Sequence, residues 1–145
     1  MLNDQLKIIG DVVVEITGPD GQIKDRREIK NLVVGTGKTH IASRIVGTPT
    51  AMSHMAIGSS STAASNSDTT LGASLGRVAL TSATSSGAVV TYVASFPAGT
   101  GTGAVVEAGV FNDASAGTML CRTVFAVVNK GADDAMSITW AITVS

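Results

Sequence analysis

Alternation of apolar and polar residues, cut into short runs by Gly, Pro, Asn and Asp, most narrows what this 145-residue chain can fold into. A period of two puts every second side chain on one face of a strand, and a chain built of such runs must bury those faces against one another. Residues 7–17 form the first run, with Val12 and Val14 on one face and Val13 and Ile16 on or near the other. Gly18-Pro19-Asp20-Gly21 follows, a turn in which Pro presets φ and Gly accepts a positive φ. The chain then returns through residues 22–34, so 7–34 reads as a β-hairpin. Its middle carries Lys24, Asp25, Arg26, Arg27 and Glu28, which reads as a solvated face or as a docking edge.

One helix is predicted, over residues 36–46. Ile41, Ile45 and Val46 recur at helical spacing, and Gly47 sits at the C-terminal cap. Thr48-Pro49-Thr50 ends it. Residues 52–57 read as a short strand, 58–68 as a Ser/Ala/Thr loop, and 69–76 as holding one helical turn. Further strands are predicted at 77–84, 88–96, 104–111, 118–128 and 136–144. Connections this short favour antiparallel neighbours. The expected fold is mainly β: an antiparallel β-sandwich or jelly-roll-like domain, with residues 1–34 as an N-terminal hairpin or docking arm and 35–145 as a β-rich body in one compact unit.

Composition narrows function. The net charge of −1 and pI near 6.0 supply no electrostatic pull toward nucleic acid or an anionic membrane. Hydrophobic residues make 44% of the chain but aromatics only 3%, which leaves few ring faces for stacking on sugars. The single cysteine, Cys121, rules out an intrachain disulfide. The first ten residues lack the apolar stretch of a signal peptide, and no run approaches the roughly 18 apolar residues that span a bilayer. Synthesis in a cytosol is expected.

Several segments imitate catalytic motifs and fall short of them. Leu32-Val33-Val34-Gly35-Thr36-Gly37-Lys38-Thr39 resembles a strand entering a phosphate loop, but the position that requires the first Gly is Leu32. Gly99, Gly101 and Ala104 fit part of a dinucleotide fingerprint, yet a β-like run follows where a helix is needed. His40, expected on the helix surface, and His54 have no ligand partner at zinc spacing. Cys121 lies mid-strand and reads as an inert thiol. No catalytic, metal or cofactor set is expected. Glu107 is the exception that needs an explanation, because it lies on a strand otherwise of Ala, Val, Gly and Phe and by alternation shares a face with Val105 and Phe111. A carboxylate there requires hydration or a cation. Arg122 and Arg77, each in an apolar strand, are the candidate partners of a structural ion pair.

The order of motifs carries a resemblance. Lys30-Asn31-Leu32-Val33-Val34 precedes Gly37-Lys38 and the helical Ile41-Ala42. Met52-Ser53-His54-Met55-Ala56-Ile57-Gly58 comes next, then Asp68-Thr69-Thr70-Leu71 and Arg77. Glu107-Ala108-Gly109-Val110-Phe111 and Leu120-Cys121-Arg122 close the series. This order, over about residues 30–128, resembles small virion proteins of tailed bacteriophages and the N-terminal module of phage tail-collar fibres. The resemblance implies a non-enzymatic structural protein of the virion, made in the host cytoplasm. It would be a tail-associated fibre adaptor or baseplate element working as a homo-oligomer, with a trimer favoured, among other virion proteins. A capsid decoration protein on the major capsid protein and a stand-alone surface adhesin are the alternatives. No nucleic acid, membrane or small-molecule substrate is implied.

Overall fold

The computed structural model describes residues 5–47 and 49–145; Met1 to Asp4 of the expected arm and Thr48 of the expected helix stop lie outside the described residues. In chain order the elements are β1 (Ile8–Thr17), β2 (Ile23–Val33), α1 (Gly35–Ile45), β3 (His54–Gly58), β4 (Ser74–Ala79), β5 (Ser82–Ser86), β6 (Val89–Phe96), β7 (Gly103–Phe111), β8 (Met119–Lys130) and β9 (Ala135–Val144). The strands form one curled antiparallel sheet in the order β4-β3-β7-β8-β2-β1-β9-β6-β5. The fold is mainly β and sandwich-like, with an N-terminal hairpin and one helix.

The curl turns on β2. From Ile23 to Asn31 it pairs with β1, while only Leu32 and Val33 pair with Arg122 and Cys121 of β8. One strand therefore belongs to both halves, and the halves face each other across a common core. Val12, Val14 and Ile16 of β1 join Ile138, Trp140 and Ile142 of β9 from one side; Met55, Ile57, Val110 and Cys121 enter from the other. Burying each large aliphatic or aromatic side chain contributes roughly 1.5–3 kcal/mol, so this cluster supplies the main driving force. Ile16 thus faces inward with Val12 and Val14, contrary to the expected opposite face.

The second crossing between the halves corrects another expectation. Residues 77–84 are not one strand: β4 ends at Ala79 and β5 starts at Ser82. Between them Leu80 N–H donates to the Ser53 carbonyl and Thr81 N–H to the Val93 carbonyl, so the chain passes from one half to the other. The helical turn expected within 69–76 is absent, and β4 begins at Ser74 instead.

The hairpin is no appended arm. β1 pairs with β9 from Ile8↔Val144 to Thr17↔Ala135 and lies, with β2, in the middle of the strand order. Residues on both sides of residue 34 build one core.

Candidate functional site

The outer face of the β3–β7–β8 half carries an ion pair with both partners buried. A register shift between Val105 and Glu107 separates residues that simple alternation would place together. Val105 joins the interior cluster, whereas Phe111 joins Val34, Ala56, Leu71 and Met119 in a second small cluster. Glu107 and Arg122 are fully buried on this outer side beneath residues 59–73. Glu107 Oε1 accepts from Gly72 N–H at 2.8 Å and from Arg122 Nε at 3.2 Å. Its Oε2 accepts from Ser60 N–H at 2.8 Å and Ala73 N–H at 2.9 Å. Arg122 Nη1 reaches Asp68 Oδ2 at 3.0 Å, and Nη2 donates to the Thr62 carbonyl at 2.9 Å.

A carboxylate offers about four acceptor positions, and here four donors meet it. The group is thus saturated and covered, and its chemistry is to fasten the 59–73 segment to the sheet. Gly58 is part of that clasp, because a Cβ there would crowd Glu107 Oε2 and the Ala73 carbonyl. The sequence singled out Glu107, Arg122 and Arg77. The structure brings the first two together and places Arg77 elsewhere, its guanidinium 3.8 Å over the Phe111 ring and Nη1 donating to the Asp113 and Ala116 carbonyls. Asp68 and the three loop N–H groups were not anticipated.

The candidate docking residues sit on β2 in ion pairs within the chain. Lys24 Nζ lies 3.1 Å from Asp134 Oδ1, Arg27 Nε 2.9 Å from Asp25 Oδ1, and Arg26 Nη1 3.0 Å from Glu28 Oε1. The hydrogen bond from Arg27 holds the Asp25 carboxyl below its ordinary range. Arg27 Nη2 also reaches the Val127 carbonyl at 3.4 Å, spanning the gap where β2 and β8 splay apart. Asp134 takes a further hydrogen bond from Gly131 N–H at 2.8 Å, which together with Lys24 lowers its proton affinity. Lys130, buried, donates to the Pro97 and Asp134 carbonyls at 2.9 and 2.7 Å.

The motif look-alikes have structural roles. Gly37 lies in the first turn of α1, where a Cβ would overlap the Leu120 carbonyl oxygen, so its smallness lets the helix pack on β8. Lys38 Nζ donates to Asn66 Oδ1 at 3.1 Å. Gly99 and Gly101 in the β6–β7 connection, and Gly103 at the start of β7, all have positive φ, and the connection leads into a strand and not a helix. His40 is buried under α1, contrary to the expected surface position, because the helix turns that side toward the sheet. His54 Nδ1 lies 2.8 Å from Ser53 Oγ. Among the described residues, no group of three His, Cys, Asp or Glu is placed to hold a metal ion. Burial pushes the Cys121 thiol well above its ordinary range.

Fold and site together define a class: an antiparallel β-sandwich whose buried ions clasp its own loops. No family model, no curated protein and no solved structure matches the chain.

Proposed function

We propose that this chain is a non-enzymatic structural subunit of a tailed-bacteriophage particle, a tail-associated fibre adaptor or baseplate element that works as a symmetric oligomer. The supporting observation is the free edge of β2. From Ile23 to Ile29 no strand among the described residues pairs with it on the β8 side, and at Lys30 only the Thr123 hydroxyl meets it, donating to the Lys30 carbonyl. An unpaired edge offers a row of N–H and C=O groups to which a neighbouring subunit's strand adds. The intramolecular ion pairs along β2 keep that edge from pairing indiscriminately, which suits a strand waiting for one partner. The resemblance in motif order over residues 30–128 supports this kind of particle.

Purified particles provide the test. Mass spectrometry calibrated against the major capsid protein should find this chain in small multiples of three or six, and image reconstruction should place it at the tail. Hundreds of copies over the head would make it a decoration protein instead. Absence from the particle would overturn the assignment, as would turnover of a substrate by the isolated chain.

A further inference from the structure

A cleft lies between α1 and the end of the β1–β9–β6–β5 half of the sandwich. Its volume is about 510 Å³, within the range of about 300–1,000 Å³ usual for small-ligand sites. Ile8, Val90 and Ile142 form one wall, and Ile41, Met52 and Leu120 the other. Five polar side chains also line it: Thr84 and Ser85 from β5, Tyr92 from β6, and His40 and Arg44 from α1. No acidic side chain does.

Arg44 decides the chemistry. Its Nη1 donates to the Pro49 carbonyl at 3.0 Å, and no carboxylate among the described residues pairs with it. Neither the Tyr92 hydroxyl nor the His40 ring hydrogen-bonds to another described residue, so both remain open to a ligand. Burial lowers the proton affinity of His40 and the Arg44 charge adds to that, while burial raises that of Tyr92 against a smaller opposing pull from Arg44, so the Arg44 charge is felt at both groups. A cation without a counter-ion beside an apolar trough selects a ligand with one anionic end and an apolar body.

We propose that this cleft binds a small amphiphilic carboxylate, an unbranched aliphatic acid of about eight to ten carbons, with its head on Arg44 and its chain along the aliphatic walls. A guanidinium grips a carboxylate through two parallel N–H···O bonds. The proposal is independent of any assembly role, since no residue of the β2 edge contributes to the cleft.

The test uses the full chain, with hexanoate, octanoate, decanoate and decanol as probes. Calorimetry and methyl chemical shifts of Ile41, Ile142 and Met52 read the binding. Affinity should rise about fourfold per added methylene, and decanol should bind at least about tenfold more weakly than decanoate. Arg44→Met, which keeps an apolar stem, should reduce decanoate to the level of decanol and leave decanol unchanged. Lys38→Met, a charge removed outside the cleft, should change neither. An unaltered urea transition monitored by Trp140 fluorescence shows that each variant is folded. The proposal fails if decanoate leaves the cleft methyls unmoved at millimolar concentration, or if decanol binds as well as decanoate. It fails equally if Arg44→Met retains the preference for the acid. Binding of an apolar peptide with a free C-terminal carboxylate, without binding of decanoate, would assign the cleft to a polypeptide partner and overturn it too.

Discussion

A carboxylate with no exposed surface is tolerable only when its lone pairs are met, and Glu107 meets this condition through Arg122 and three main-chain N–H groups. Glu107→Gln keeps the shape but turns one acceptor into a donor and leaves the Arg122 charge facing Asp68 alone. The expected loss is about 3–5 kcal/mol, the range for breaking a buried pair, read from urea unfolding with the single buried Trp140 as probe. Arg122→Met should cost a similar amount, and the double variant should cost less than the sum by more than about 1 kcal/mol. Simple additivity would show that the two side chains act separately. Part of this site was legible before the structure. A lone Glu among Ala, Val, Gly and Phe announces that it needs a partner. The choice between Arg77 and Arg122 was not legible, because it depends on Arg77 being drawn to the Phe111 ring and two carbonyls. The loop donors left no trace either, since a main-chain N–H belongs to every residue type but Pro.

Strand existence was the most readable level, and strand boundaries at corners the least. Alternation marks a face, but it runs on through a corner without changing, which is why residues 77–84 read as one strand when Leu80 and Thr81 pass between the two halves. The hairpin was clear from its Gly-Pro-Asp-Gly turn, while its central place in the sheet came from pairing with β9, more than a hundred residues away. For α1 the helical spacing matches the bounds within one residue but does not carry the buried face, and His40 lies inside. Gly37 explains that face, because close approach to Leu120 needs a residue without Cβ. Gly37→Ala should therefore destabilise the protein by about 1–3 kcal/mol through overpacking. Gly47→Ala provides the contrast. It has φ +82 and open space around it, so it should cost only about 1 kcal/mol of backbone strain. Urea midpoints of the two variants test the order; equal losses would mean that α1 does not depend on close packing against β8.

For the molecule as a whole, the hairpin and the buried titratable groups set two behaviours. Deleting residues 1–30 removes β1 and most of β2, along with Val12, Val14 and Ile16 from the core. The expected product is an unfolded chain with Trp140 in water and no cooperative urea transition; a folded remainder would mean that the body closes without its central strands. The second behaviour appears at alkaline pH. Burial pushes the Tyr92 hydroxyl from 10.0 up to about 12 in the folded state. A group whose pKa is raised on folding contributes stability that is complete below its unfolded value and is lost as pH climbs toward the folded one. The fold should thus weaken between pH 10 and about 12 on account of Tyr92. The raised Cys121 thiol adds to this loss, whereas Lys130, whose pKa burial lowers, works against it because folding then favours its neutral form. Tyr92 is the only tyrosine, so the ultraviolet absorbance of tyrosinate reports it alone while Trp140 fluorescence reports folding. Tyr92→Phe should make stability fall less steeply across that window. An unchanged slope, or tyrosinate appearing near pH 10 in a chain that is still folded, would show that solvent reaches the hydroxyl as freely as it does in the unfolded state.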